Sequence, residues 1–372
     1  MNVTDTDPYR PAAVGRHPVV GLLAVSAALL AAAATVGVLG VADGVGPGVV
    51  DGVGSVTGSL PGNVAVPRPG AASARQQVGI VTIVSTLKYQ NARSAGTGMI
   101  LSADGEVLTN NHVVRGATAV LVTDETTGRS YRATVVGTAP GADVAVLRLR
   151  GAHGLRRATL ADDARGVRVG DTVTGVGNAG GTGRLTAAEG RVAALDRSIT
   201  AADENGQDTE RLTGLIEVNA RIVSGDSGGP LYDEAGRIVG MDTAASASRD
   251  ASPTAYAIPI EDARGVVRRI ESGVETASIH LGYPGFLGVS TKNANGRGAA
   301  VAGLLEGGPA AAAGITTGSI VTAVDGTRVT SADTLRALLT RRDPGTSVRV
   351  SWNDVRGRAR SAVVTLTTGP AD

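Results

Sequence analysis

A chain of 372 residues is long enough for two or three folded units. Its 35 basic and 34 acidic side chains leave a net charge of +1, which gives no reason to expect a nucleic-acid partner. The absence of cysteine excludes disulfides and thiolate metal sites but leaves the compartment open. Aromatics make up 2%, with Phe286 and Trp352 the single members of their types, so Val, Ile, Leu and Ala must fill the cores. Lys88 and Lys292 are the two lysines, a bias read as compositional rather than functional.

Residues 1–17 are polar and carry Arg10 and Arg16. Pro18 to Ala42 then runs 25 residues without a charge, long enough to cross a bilayer as a helix. A cleaved signal peptide is the alternative; it needs a shorter apolar core and a clear small-residue cleavage site. Arginines before the span and none after it until Arg68 predict a cytoplasmic N-terminus with the bulk of the chain outside. Residues 43–77, rich in Gly, Val and Pro, read as a flexible tether.

From Val78 the pattern changes to short β-type runs broken by turns. The first six are 79–85, 96–101, 107–109, 119–123, 133–137 and 144–149; six more are 172–176, 190–194, 214–218, 230–232, 238–242 and 255–258. A dozen such strands predict an all-β barrel or sandwich pair over 78–271, closed by an amphipathic helix at 260–271. After a linker at 272–281, residues 282–370 predict a small α+β unit with helices near 308–314 and 331–341 and strands at 320–324, 347–352 and 361–367.

Chemistry concentrates in Val223-Ser-Gly-Asp-Ser-Gly-Gly-Pro230. A serine is a weak nucleophile that needs a neighbouring base and amide donors aimed at the developing oxyanion, and glycines permit the tight backbone that presents them. The competing reading is a Gly-rich turn between strands. Of four histidines, His17 abuts the apolar span, His153 lies in a loop and His280 in a linker. His112 follows a strand and precedes apolar residues that can anchor it. A buried carboxylate should orient that imidazole. Asp143, at the entry of the apolar run Val144–Leu147, fits, though it could simply cap a turn after Pro140-Gly141; Asp162, Asp163 and Asp171 lie in polar stretches.

Thr109-Asn-Asn-His-Val-Val114, Asp143-Val-Ala-Val-Leu147 and the Gly225–Pro230 string resemble the three catalytic motifs of HtrA (DegP-like) serine proteases. Gly175-Val-Gly-Asn178, Gly190-Arg-Val-Ala193 and Tyr256-Ala-Ile-Pro259 resemble further family segments. The resemblance implies a mainly β chain: a chymotrypsin-like double β-barrel followed by a PDZ domain, with one N-terminal transmembrane helix. It implies that Ser227 is the nucleophile, His112 the base and then the acid, and Asp143 its orienter, with the Gly225 and Ser227 N–H groups as oxyanion hole. It places Arg221, Thr243, Ala244 and Ala245 at the substrate cleft, and Gly285, Phe286, Leu287 and Gly288 at a peptide-carboxylate loop of the PDZ domain. No metal or organic cofactor is implied. The implied activity is ATP-independent cleavage of misfolded or regulatory proteins outside the cytoplasm, with C-terminal peptides as PDZ ligands; a chaperone or peptide-binding scaffold is the rival. Members of the family are often trimeric, but the aromatic contacts some of them use are hard to locate in so aromatic-poor a chain.

Two positions depart from the family pattern. Asp226 stands where members commonly have Asn, so a buried carboxylate there needs a partner, Arg or a backbone N–H. Arg221, six residues before Ser227, stands where relatives place a small residue at the floor of the S1 pocket; its side chain either selects acidic P1 residues or points to solvent. Segments 177–184 and 196–211 read as loops able to switch beside the oxyanion hole, or as plain surface loops.

Overall fold

The computed structural model describes residues 66–162, 167–202, 209–245 and 253–371. The expected span at 18–42, its flanks and most of the tether lie outside these residues. Among the described residues no helix is long and apolar enough to cross a membrane.

After a short strand β1 (Gly70–Ala71), six strands form the first barrel: β2 (Ile80–Leu87), β3 (Ala92–Ile100), β4 (Glu106–Thr109), β5 (Ala119–Asp124), β6 (Arg129–Ala139) and β7 (Val144–Leu149). Their antiparallel order β6-β5-β2-β3-β4-β7 closes on itself through a β6–β7 pairing. One helical turn, α1 (Asn111–Val114), follows β4. The second barrel comprises β8 (Thr172–Gly177), β9 (Thr186–Ala202), β10 (Thr209–Val218), β11 (Pro230–Asp233), β12 (Ile238–Ala245) and β13 (Ala255–Pro259). It closes in the order β9-β10-β13-β12-β11-β8, and α2 (Ile260–Glu271) packs against it.

The continuous apolar run that follows Asp143 has a structural reason. Side chains alternate across a strand. Ala145, Leu147 and Leu149 of β7 fill the first barrel, while Val144 and Val146 on its other face join the core of the second. A strand buried on both faces cannot alternate polar with apolar. Its first residue therefore sits where the two barrels meet.

Two segments differ from the expected loops and linkers. The described residues of 196–211 pair as a ribbon of β9 and β10, with Leu212 opposite Ile199 and Thr209 opposite Ala202. Ile199 and Leu212 are buried, so two apolar residues in a polar stretch suffice to dock the ribbon. The expected linker at 272–281 contains β14 (His280–Leu281), which adds to the edge of β6. Ala72, near the end of the expected tether, is buried and donates its N–H to Leu185.

The third unit begins with β15 (Gly285–Phe286), and an antiparallel sheet follows: β16 (Val289–Asn293), β17 (Ala299–Leu304), β18 (Ile320–Val324), β19 (Thr327–Arg328), β20 (Ser347–Asn353) and β21 (Ala359–Thr365). Its helices are α3 (Pro309–Ala312) and α4 (Ala332–Thr340); Ser331 caps α4 by accepting the Thr334 N–H at 3.1 Å. Trp352 lies in its core. A last strand, β22 (Thr367–Thr368), pairs with β15.

Candidate active site

Asp143 ends a tight turn at 140–142 in the left-handed conformation (φ 50°) and is 2% exposed. Both expected roles, turn cap and imidazole partner, are met by this one residue. Its carboxylate oxygens lie 2.9 and 3.1 Å from His112 Nδ1, and the backbone N–H of His112 donates to the same group at 3.0 Å. Thr243 donates its hydroxyl to that carboxylate as well. The main chain of Asp143 is held by Asn110, whose amide donates to its carbonyl at 2.9 Å. Imidazole orientation is therefore set from two sides: the carboxylate fixes the ring, and α1 fixes the backbone.

The serine approaches from the second barrel. Ser227 Oγ donates to the Thr243 carbonyl at 3.3 Å, so Thr243 touches both Asp143 and Ser227. The glycines of the string have steric reasons. A Cβ on Gly228 (φ 82°) would lie 2.2 Å from the Thr97 carbonyl oxygen, and one on Gly225 (φ 95°) 2.2 Å from that of Asn178. Among the described residues, neither the Gly225 nor the Ser227 N–H finds an acceptor. The Ser224 carbonyl accepts the Gly180 N–H at 2.7 Å. Because a trans peptide sets N–H and C=O on opposite sides, the Gly225 N–H is aimed away from the 178–184 loop.

Thr97 escaped the sequence reading. Wholly buried, it donates its N–H to the Ser227 carbonyl and its hydroxyl to the Gly225 carbonyl, both at 2.8 Å, and it accepts the Asn178 N–H at 2.9 Å. Its one sequence signal is Gly96-Thr-Gly98: a Cβ on Gly96 would lie 2.6 Å from Val113 of α1. The 178–184 loop is itself pinned, with the Asn178 side chain accepting the Gly183 N–H at 2.7 Å.

Asp226 is 3% exposed, and the partner it finds is a backbone donor, the Val223 N–H at 2.9 Å. Burial pushes its carboxyl up to about 7. Arg221 is exposed. Ala244 and Ala245 continue β12 beside Tyr256 and Ala255 of β13. Gly285 and Leu287 are buried in the third unit, whereas Phe286 leaves its core and stacks on Tyr89 of the first barrel, ring centres 5.1 Å apart. His153 is exposed, and His280 lies 3.8 Å from Glu275; neither approaches this constellation.

Residues 96–241 match the trypsin-like peptidase domain and residues 285–356 the PDZ domain. The serine protease PepD of Mycobacterium tuberculosis is 30% identical over 96% of this chain and 80% of its own length. The chain belongs to the HtrA family of serine proteases. The periplasmic pH-dependent serine endoprotease DegQ of Escherichia coli is 33% identical over 73% of the chain and 59% of its own length. A DegP-like endoprotease of Brucella suis is 32% identical over 76% of the chain. The chain spans little more than half of these two relatives. Among solved structures, the HtrA-type protease AlgW with a tripeptide is 28% identical, covers 80% of this chain and 96% of its own, and has a TM-score of 0.47. As a member of the HtrA family the chain is a serine endopeptidase.

Proposed function

We propose that Ser227, His112 and Asp143 form the catalytic triad of an ATP-independent endopeptidase for misfolded or regulatory proteins, working outside the cytoplasm from an anchor at 18–42. One observation carries the reading: Thr243 bonds the Asp143 carboxylate with its side chain and the Ser227 hydroxyl with its carbonyl, so both barrels converge on one set of polar groups. Asp143 holds the His112 Nδ1 proton, which leaves Nε2 to take the Ser227 proton as Oγ attacks the scissile carbonyl. The Gly225 and Ser227 N–H groups receive the oxyanion. His112 then returns the proton to the leaving amine, and water repeats the sequence on the acyl-enzyme. A scaffold that only captured peptides would have no use for a buried carboxylate aligned on an imidazole. Cleavage of unfolded β-casein by the intact protein, lost in Ser227→Ala, tests the assignment; equal cleavage by both proteins refutes it.

The exposure of Arg221 supports a cleft whose floor is not cationic, with small or medium apolar residues at P1. Cleavage-site profiling enriched in Asp or Glu at P1 would reverse that reading. In the PDZ unit, a cavity of about 210 Å³ between edge strand β16 and α4 is lined by Leu287, Val289, Leu335 and Leu339. An unpaired strand edge beside an apolar groove suits β-addition of a peptide. Pro370 and Ala371 border the same cavity. Ala371 accepts the Gly116 N–H at 2.7 Å and donates to the Ala117 carbonyl at 3.0 Å. Gly116 lies four residues beyond His112, so the tail 367–371 gives a peptide in the groove a short mechanical route to the imidazole. An anchored, extracytoplasmic location is supported by the uncharged run at 18–42 and by the periplasmic relatives. A homotrimer is the family expectation, and sedimentation would test it.

A further inference from the structure

Asp226 and Asp242 are two buried acidic side chains near Ser227 that the proposed mechanism leaves unused. Asp242 is 0% exposed, and neither of its carboxyl oxygens has a hydrogen-bond partner; Asp226 Oδ1 has none either. Both carboxyls stand over one face of β8. A Cβ on Gly175 would lie 2.8 Å from Asp242 Oδ2, and one on Gly177 would lie 2.7 Å from Asp226 Oδ1. Positions two apart share a strand face about 7 Å apart, so the two glycines make adjoining berths for two carboxyls.

No described cation compensates them. The span of β8, Thr172–Gly177, carries no titratable group. On β11, Asp233 is paired with Arg237. On β13, Ala257 lies opposite Asp242, and Tyr256 is under the influence of Glu217 and Arg197 instead. Arg184 and Arg221, on the two adjoining loops, are exposed, and the β3 residue nearest the string is Thr97. Asp143 and His112 are engaged with each other beyond Thr243. Among the described residues no third acidic or histidine side chain joins the two to hold a metal ion.

Two buried like charges with no counter-ion cannot both ionise without cost, and burial and the neighbouring Asp226 both push the Asp242 carboxyl up. The backbones of the pair frame the nucleophile. Asp226 precedes Ser227 and holds the Val223–Asp226 turn through both its N–H and its carboxylate. Asp242 accepts the Gly228 N–H and donates to the Gly229 carbonyl, each at 2.8 Å.

We propose that Asp226 and Asp242 are positioning residues whose carboxyls must not both be ionised, and that double ionisation distorts the turn presenting Ser227 and the Gly225 N–H. The inference rests on Ser227 being the nucleophile. With at most one charge between them, the two carboxyls stay packed against β8, and Asp226 keeps its hold on the Val223 N–H. Doubly ionised, the carboxylates repel each other and the turn yields.

The test is the pH profile of kcat and KM for a peptide substrate, run on the intact protein, Asp242→Asn and Asp226→Asn. The wild type should lose at least about tenfold in kcat between pH 7 and about pH 9, with KM little changed, because the effect falls on oxyanion and nucleophile geometry. Asp242→Asn, which cannot form the double charge, should lose that alkaline limb. Infrared spectra at pH 7 give a readout independent of turnover: a protonated-carboxyl band present in the wild type and weakened in each Asn variant, which removes one of the two buried carboxyls. Superimposable profiles, or the absence of such a band, overturn the proposal. Fluorophosphonate labelling of Ser227 at pH 7 separates this outcome from failure of the triad assignment itself.

Discussion

The buried Asp226 carboxyl makes a quantitative demand on stability. An aspartate ordinarily titrates near 3.8, and burial raises this one to about 7. Between those values the folded protein keeps a proton that the unfolded chain has released. Stability from this group is therefore complete below about pH 4 and is lost as pH rises through about 7. A gap of about three units at about 1.4 kcal/mol each makes the loss about 4 kcal/mol across the window. Solvent screening removes little of it, because the side chain is 3% exposed. Asp242, shifted in the same direction, adds to the slope. Urea unfolding from pH 4 to pH 8, in a Ser227→Ala background that prevents self-cleavage, measures it. Asp226→Asn should flatten the curve and should stand above the parent at pH 8. Parallel curves for the two proteins would refute the reasoning, because the desolvation cost would then not reside at Asp226.

Other consequences follow from the same geometry. Gly225→Ala places a methyl 2.2 Å from the Asn178 carbonyl oxygen at a φ of 95° and displaces an oxyanion donor; kcat should fall by about 10²–10³ with KM little changed, in steady-state peptide hydrolysis. Thr243→Val keeps the shape but removes a donor to Asp143, and should lower kcat by about tenfold, the worth of one charge-assisted hydrogen bond. Ala371→Arg overfills a position that is 2% exposed and should separate the PDZ unit from α1. A hydrophobic C-terminal peptide at a concentration shown by calorimetry to saturate the variant should then no longer change kcat; an unaltered peptide response would count against the tail as a route.

How much was legible in the amino acids depended on how local the cause was. All twelve expected strands of the double barrel correspond to β2–β13, because each is a short β-type apolar run bounded by a glycine or polar turn. Helix α2 was legible from its amphipathic spacing and has the expected bounds. The ribbon at 196–211 was not, since Ile199 and Leu212 are two apolar residues among polar ones and acquire their meaning only by reaching the second core. Strands β16 and β17 were missed for a related reason: β16 is short and mostly polar, β17 is built of small residues, and both are held by their neighbours. At the site, Ser227, His112 and Asp143 stood out through their motifs. Thr97 did not, because its partners lie far away in the chain, Asn178 across 81 residues, and Asp242 did not, because its burial beside β8 comes from the assembled barrel. The expectation that Asp226 would find a partner was met by the Val223 N–H at one oxygen, leaving the other without one. The string that contains the nucleophile therefore also contains a buried carboxyl with one oxygen unpartnered.

The most direct measurement is stoichiometric fluorophosphonate labelling followed by peptide mass spectrometry, with casein cleavage followed in parallel. The account predicts one adduct, on Ser227, with activity lost in proportion to labelling, and neither adduct nor cleavage in His112→Ala. An adduct on another residue, or casein cleavage that persists after Ser227 is completely labelled, would contradict it.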